Sequence, residues 1–427
     1  MVETATTKTI KTTKNSPVMA MTAGMDIGNG DSKCKIKIDQ DKPVNVDIPS
    51  TIAYTTGSNT PKTPTPEYMD DLANNLEAQC MGPGIRSVDE GRMFFGKRAI
   101  NSGESLTMFN ITNSMPKNED SLFTILIDGI IASSGVKKYW QEHHELPKSL
   151  QIAVGLGVAL PIKDYLNYRD EAKRTLMSGK HTVLIRNFGE AIPVEIKYTS
   201  CVVLAEGVAA QYAIAQLGPK FIQGALTIAR SHGANIDSAY TGEMLANATY
   251  SIAVDLGDGT TNFPVITNGM VNVEVSSSIN RGYGSVLDGA LADLANTAAS
   301  FETRRDLSDF VRDPLNRVMP AQKATYELAN RTIEAHKEVY VRNIRTAFTD
   351  IFKKVGQRTQ VIYVYGGGAT PMREKLEPVL IQETKVGNGE NIPILWMQKY
   401  DNYDYGRDLN RNGLYLAAIN GVKANLQ

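Results

Sequence analysis

Two eight-residue segments, one in each half of the chain, follow a single pattern. They are Met25-Asp26-Ile27-Gly28-Asn29-Gly30-Asp31-Ser32 and Val254-Asp255-Leu256-Gly257-Asp258-Gly259-Thr260-Thr261. Each is an apolar run into Asp, then an apolar residue, Gly, Asn or Asp, Gly, Asp or Thr and a hydroxyl residue. A Gly-x-Gly turn lets backbone N–H groups crowd around an anion, because no Cβ obstructs the approach. Two matched copies imply two domains built on a common plan. Facing each other across a cleft, their turns can clamp a polyphosphate from both sides.

The rest of the sequence has room for that plan. Its 427 residues exceed the commonest domain size of about 100–150. With 42% hydrophobic and 21% charged residues, the chain has material for a large core and is not mostly disordered. Lys+Arg 45 against Asp+Glu 46 leaves a formal charge of −1, so no global field draws it to nucleic acid or to an anionic membrane. Three separated cysteines (Cys34, Cys80, Cys201) give neither a disulfide framework nor a zinc site and suggest a cytoplasmic protein with buried thiols. No run approaches the roughly 20 apolar residues of a membrane span. Residues 1–17, dominated by Thr and Lys, read as a mobile tail.

Short β-like runs then alternate with turns. Ala20–Ile27, Cys34–Ile38 and Val44–Ile48 read as strands, the first two joined by the hairpin signal Asn29-Gly30. Thr55–Pro66 reads as an exposed loop, Arg92–Ile100 as a strand and Ser121–Ile131 as an apolar helix. Leu150–Leu156 is a buried strand and Leu160–Leu176 a helix stopped at Ser178-Gly179. His181–Ile185, Ile192–Ile196 and Thr199–Leu204 are strands, and Gly207–Leu217 is a helix. Gly224–Tyr250, rich in small and polar residues, marks a junction. Beyond it come a strand at Tyr250–Leu256 and a helix at Val286–Ala299. An amphipathic helix runs through Val341–Val355, with strands at Val361–Tyr365 and Ile392–Met397 and a terminal helix at Leu409–Ile419. The class is mixed α/β.

The chemistry concentrates in the two turns. Asp26 and Asp255, at strand ends, can accept from the waters of a magnesium ion accompanying a nucleotide triphosphate. Gly28, Asn29, Gly30, Gly257, Asp258 and Gly259 form the turns. Ser32, Thr260 and Thr261 offer hydroxyls, and Lys33 an ammonium. In Val361–Tyr365, running into Gly366-Gly367-Gly368-Ala369-Thr370-Pro371 and a helix, backbone donors and the helix dipole make a third anion or nucleotide site. Neither a P-loop nor a Gly-x-Gly-x-x-Gly fingerprint occurs here. None of the five histidines has metal-ligand spacing.

The order Asp26…Lys33, Val203–Ala210, Asp255…Thr261, Gly366–Pro371 and Arg411-Asn412-Gly413-Leu414 resembles the actin/Hsp70/sugar-kinase superfamily. Its five elements are first phosphate motif, first connecting helix, second phosphate motif, adenosine motif and second connecting helix. Phe94-Phe95-Gly96-Lys97-Arg98-Ala99, Leu160-Pro161 to Gly189 and Val203-Leu204-Ala205-Glu206-Gly207-Val208-Ala209-Ala210 look most like the bacterial plasmid-segregation actins, the ParM/Alp group. The resemblance implies an actin-like fold of two related RNase H-like domains around a nucleotide cleft. These would be residues 18–235, with a C-terminal return at 400–427, and residues 236–399. It further implies an ATPase, with GTP also open, that polymerises into filaments and segregates plasmid DNA through a small DNA-binding adaptor of ParR type. The near-neutral charge agrees with DNA held by that adaptor.

Carried over by position, Asp26 and Asp255 flank magnesium and the γ-phosphate, and Lys33 contacts phosphate. Glu206 falls where the family orients the attacking water. Gly366, Gly367 and Gly368 line the α-phosphate and adenosine, and Gly282 and Gly284 border the ribose. Asp258, where many relatives carry a small residue, is a departure. The competing expectation is a sugar-type small-molecule kinase on the same fold, but no second catalytic Asp facing a separate pocket is evident in the sequence.

Overall fold

The computed structural model describes residues 18–57, 62–110, 115–397 and 405–425. The expected N-terminal tail, the middle of the Thr55–Pro66 loop and the start of the C-terminal return at 400–404 lie outside them.

Two sheets form among the described residues. In the first, Val18–Ile27 and Asp31–Ile38 make the hairpin expected at Asn29-Gly30, with Asp26 opposite Lys33 and Ile27 opposite Ser32. Alternation of buried and partly exposed residues along Asp31–Ile38 shows why it sits at a half-covered face. Leu150–Leu160 runs parallel to Val18–Ile27, and Ile192–Ala205 runs parallel to Leu150–Leu160. Beyond them His181–Ile185, Glu77–Met81, Arg92–Phe95, Thr51–Tyr54 and Leu106–Met108 extend the sheet to its far edge. The second sheet repeats the central motif. Ser251–Leu256 and Thr261–Phe263 make a hairpin, and Val361–Tyr365 lies parallel to Ser251–Leu256 with Ile394–Trp396 beyond it.

Several elements differ from the sequence reading. The strand at Arg92 ends at Phe95, because Gly96 takes φ 55° and opens the short helix Gly96–Ile100. Ile192–Ala205 is one strand, not two, with a register irregularity between Tyr198 and Ser200 absorbing the interruption. The helix after Gly207 continues to Ser231, kinked at Gly218 (φ 76°) before Pro219. The first eight residues of the presumed junction at Gly224–Tyr250 therefore lie in that helix. Its apolar face, including Ala210, Ile214, Ile222 and Leu226, packs with Ala253, Val361, Tyr363 and Leu395 of the second sheet. A boundary near residue 235 would assign this helix to the first half. That packing ties the helix to the second sheet.

The C-terminal helix Tyr405–Asn425 lies across Val18–Ile27, Leu150–Leu160 and the helix Val208–Ser231. The long helix Pro320–Val355 backs the second sheet, burying Ile333, Tyr340, Ile344, Phe348 and Ile351 in its core. The three cysteines are buried and unpaired. No helix among the described residues is long and apolar enough to cross a membrane.

One buried polar cluster ties the first half together. The His181 ring places Nδ1 2.9 Å from Asp128 Oδ2 and Nε2 3.1 Å from the Leu176 carbonyl, while the Tyr198 hydroxyl donates to Asp128 Oδ1 at 2.5 Å. With an acceptor at each nitrogen, the ring fits as an imidazolium. Burial alone would lower its pKa, but the Asp128 charge and hydrogen bond and the Leu176 carbonyl carry it above 6.5. A folded-state pKa above the unfolded one stabilises fully below about pH 6.5 and is lost as pH rises through the folded value. Urea titrations of the parent and His181→Gln are therefore expected to show a stability gap that shrinks from pH 6 to pH 9. A gap that widens would refute the charged assignment.

Candidate functional site at the strand ends of the two sheets

Ligands of open α/β sheets gather at the carboxyl ends of parallel strands, and here four such ends converge. Asp26 closes Val18–Ile27, and Glu206 follows Ile192–Ala205. Asp255 is the penultimate residue of the strand Ser251–Leu256, and Gly366 follows Val361–Tyr365. Asp26, Glu206 and Asp255 are all buried. Burial pushes the Asp255 carboxyl up to about 7; the Asn410 amide and Lys33 oppose this, while the Asp26 and Glu206 charges add to it. Burial likewise raises Asp26, with Lys33, Lys117 and Arg411 opposing and Glu206 reinforcing. Three carboxyls thus feel one another's charge in a buried space, an arrangement that a cation relieves.

The two glycine turns have one geometry. Gly28 N–H donates to the Asp31 carbonyl at 3.1 Å, and Gly257 N–H donates to the Thr260 carbonyl at 3.0 Å. A Cβ on Gly28 or Gly257 would fall 2.6 or 2.8 Å from those same carbonyl oxygens, so each turn requires glycine. The turns also face each other, since a Cβ on Gly30 would lie 2.8 Å from Asp258 Oδ2. Asn29 and Asp258 occupy matching positions at the centres of the two turns, and Gly259 is buried beneath the second. Lys33 is half-buried beside Asp26, and its charge reaches Asp255 and Asp258.

The third motif closes the cluster from the second sheet. Gly366 has φ 96°, and a Cβ there would stand 2.7 Å from Asp255 Oδ1. Gly368 N–H donates to the Leu256 carbonyl at 2.8 Å, and Gly367 has open space around it. The helix Ala369–Glu383 starts directly after, three residues earlier than expected, aiming its N-terminal dipole at the same space. Gly282 and Gly284 are brought in by backbone bonds to the second turn. Tyr283 N–H donates to the Gly257 carbonyl at 2.9 Å, and Gly284 N–H to the Asp258 carbonyl at 2.8 Å.

Two hydroxyls need correction. Ser32 is fully buried with its Oγ 2.8 Å from Ser50 Oγ, and Thr261 Oγ1 donates to the Arg281 carbonyl at 2.7 Å while meeting the Tyr340 hydroxyl at 2.5 Å. Strand alternation turns both side chains into the cores beneath the turns, so neither faces the cleft. The partly exposed Thr260 remains of the three.

Sequence reasoning missed several partners. Lys117, also buried, donates to Glu206 Oε1 at 3.2 Å, and its backbone N–H donates to Asp164 Oδ2 at 2.9 Å. Asn262 Nδ2 donates to Glu206 Oε2 at 3.2 Å, and Asn410 Nδ2 donates to Asp255 Oδ2 at 3.1 Å. Arg304 pairs with Asp258 at 3.0 Å, and Arg305 reaches from the second half to Asp31 of the first turn at 3.4 Å. Asn262 and Asn410 sat next to quoted motifs and could have been found there. Lys117, which opens the short 3-10 helix Lys117–Glu119 far from the quoted motifs, carried no sequence signal.

The Oδ1 atoms of Asn262 and Asn410 are buried without a hydrogen-bond partner. Among the described residues no three acidic, His or Cys side chains stand close enough to chelate a metal directly. Oxygen donors spaced beyond direct chelation, with orphaned amide oxygens beside them, fit a magnesium ion that keeps its water shell.

Comparisons with known proteins agree on the fold. Residues 253–378 match the family model described as archaeal actin homologue MreB-like, C-terminal. Over 94% of its length the chain superposes on Bacillus thuringiensis ParM with ADP, with TM-score 0.58, 15% identity and 98% of that chain covered. The archaeal actin homolog Ta0583 gives TM-score 0.58 at 16% identity, over 94% of this chain and 99% of that one. A Bacillus thuringiensis ParM hybrid containing two ParM mutants gives 0.59 at 15% identity over 94% of this chain, which spans 48% of the hybrid's length. No curated protein sequence matches the chain. The architecture is the actin-like fold.

Proposed function

We propose that this chain is a nucleotide-driven, polymerising actin-like ATPase. The carrying observation is the convergence of Asp26, Glu206 and Asp255 between two facing glycine turns at the strand ends of the two sheets. The turns supply backbone donors to a polyphosphate, Lys33 adds an ammonium, and Gly366–Gly368 border the α-phosphate and adenosine. Gly282 and Gly284 border the ribose, and Thr260 replaces Ser32 and Thr261 as the available hydroxyl. Asp26 and Asp255 would hold magnesium through water, and a bound ion would supply charge neutralisation for the phosphates. Glu206, fixed between Lys117 and Asn262, orients the attacking water. ATP or GTP serves as the nucleotide, filaments are the assembled form, and plasmid DNA is the cargo, reached through a DNA-binding adaptor of ParR type in the cytoplasm. The solved ParM with ADP, AMPPNP and ATP supports the nucleotide part of this reading, and the balanced charge of the chain supports an indirect link to DNA.

Sedimentation with ATP–Mg, GTP–Mg or no nucleotide tests assembly. A nucleotide-dependent pellet is expected, and none over a wide concentration range would sink the proposal. Plasmid retention with and without the chain tests the cargo. At the site, Asp255→Asn is expected to lower phosphate release about 10–100-fold, the usual scale for losing a group that positions a metal. Magnesium-dependent release at the parent rate would remove Asp255 from the site.

A further inference from the structure

A lysine is almost never buried unless its charge is answered. The Lys117 side chain is 6% exposed. Among the described residues its ammonium, which carries three donors, has one acceptor, Glu206 Oε1 at 3.2 Å. The Phe109 ring covers another side, its centre 5.2 Å from Nζ. The backbone is pinned as well. Lys117 N–H donates at 2.9 Å to Oδ2 of Asp164, in the first turn of the helix Ile162–Met177. Glu206 N–H donates to the Leu160 carbonyl at 2.7 Å, beside the start of that same helix. The ammonium is therefore fixed at the ends of the strands Leu150–Leu160 and Ile192–Ala205 with donors to spare.

Charge shows what those donors serve. Lys33 and Lys117 both act on the Asp26 carboxyl. Lys33 acts also on Asp255 and Asp258, in and beside the second glycine turn. Lys33 thus follows the polyphosphate along the turns, whereas Lys117 belongs to the end where Glu206 holds the attacking water. A phosphate group between Asp26 and Glu206 adds negative charge to a buried space that already has two carboxyls, and it requires a cation there. Arg411, which also acts on Asp26, is committed to Asp47 and Asp408. Lys117 has the free donors.

We infer that Lys117 is a catalytic residue that donates to the γ-phosphate while keeping its bond to Glu206, and so fixes the attacking water relative to the phosphorus. The inference rests on the nucleotide-hydrolysis reading above and adds the residue that recognises the terminal phosphate. The water oxygen forms the new bond to the γ-phosphorus as the bond from phosphorus to the bridging oxygen breaks. That electron pair leaves with the diphosphate. One water proton passes to a phosphate oxygen and the other stays on the transferred oxygen. Lys117 keeps its protons and stabilises the charge spread over the γ-phosphate oxygens, the electrostatic part that dominates phosphoryl transfer. A diphosphate has no group at that position, so Lys117 favours triphosphate over diphosphate.

The full chain is titrated with AMPPNP–Mg and ADP–Mg, and with the guanine pair GMPPNP–Mg and GDP–Mg. Lys117→Met is expected to weaken the triphosphate analogue about 10–100-fold, the scale of one hydrogen bond to a charged group, and to leave diphosphate affinity within about twofold. Phosphate release falls about 10²–10³-fold, the cost of losing one preorganised donor. A merely structural role would weaken both nucleotides alike. Because the substitution leaves Glu206 unpaired, the charge-neutral double variant Lys117→Met/Glu206→Gln is measured beside it and carries the test if the single variant fails to fold. The double variant is expected to keep the loss of triphosphate preference. If it regains the parent preference, repulsion from the unpaired carboxylate explains the single variant and the inference is overturned. Equal weakening of both nucleotides, or an unchanged preference in Lys117→Met, overturns it too while the site stands. A parent that binds neither nucleotide removes the site, and this contact with it.

Discussion

Glu206→Gln is expected to bind nucleotide and assemble like the parent while releasing phosphate about 10²–10⁴-fold more slowly, the range a positioned acid–base group contributes. The choice of glutamine matters because Glu206 and Lys117 are both buried and bridge at 3.2 Å. Removing one partner of a buried pair costs about 3–5 kcal/mol, because the other charge is left uncompensated. Glu206→Ala would mix that loss with any loss of chemistry. Glutamine keeps an acceptor for Lys117, and the partnerless Asn262 Oδ1 can turn to accept from its amide. Single-turnover phosphate release and urea unfolding, measured on the same preparations, separate the two effects. Glu206→Ala/Lys117→Met should recover the stability that Glu206→Ala loses and remain slow in hydrolysis. Parent-like phosphate release from Glu206→Gln would strip the residue of its role.

The paired glycine turns were legible because their requirement is local. A turn whose carbonyl sits 2.6 Å from the place of a Cβ admits only glycine, and that restriction prints directly in sequence. The strand ends were legible for the same reason, as apolar runs stopping at Asp26 and Asp255. What the sequence hid is non-local. Lys117 reaches Glu206 across 89 positions, and Asn410 reaches Asp255 across 155. No periodicity announces either. Ser32 and Thr261 were misread because a hydroxyl next to a phosphate turn looks available until strand alternation shows which face it takes. The packing of the helix Val208–Ser231 was hidden for another reason. Chain order places it after the first sheet, whereas its apolar stripe matches the second.

Gly413→Ala is expected to destabilise the chain by at least about 3 kcal/mol, at the upper end of what overpacking costs. Local propensity gives the opposite sign. Gly413 lies inside the helix Tyr405–Asn425, where Ala would ordinarily gain about 1 kcal/mol over Gly. Packing decides. A Cβ on Gly413 would fall inside the Ala209 carbonyl oxygen of the crossing helix Val208–Ser231. Neither backbone can yield easily, because a Cβ on Gly24 would likewise meet the Tyr415 amide and one on Gly157 the Leu414 carbonyl. Three glycines on three elements therefore permit one close crossing, and the crossing carries Asn410 to Asp255. A shift that relieved the clash would move that amide, so nucleotide affinity should fall along with stability. Gly387→Ala, with nothing within 4 Å of the added Cβ, should stay within about 0.5 kcal/mol of the parent. Urea midpoints for the two variants decide between propensity and packing. A stabilised Gly413→Ala would mean that the helix does not lie on the Val208–Ser231 backbone, and the route from the C-terminus to the Asp255 carboxylate would have to be drawn differently.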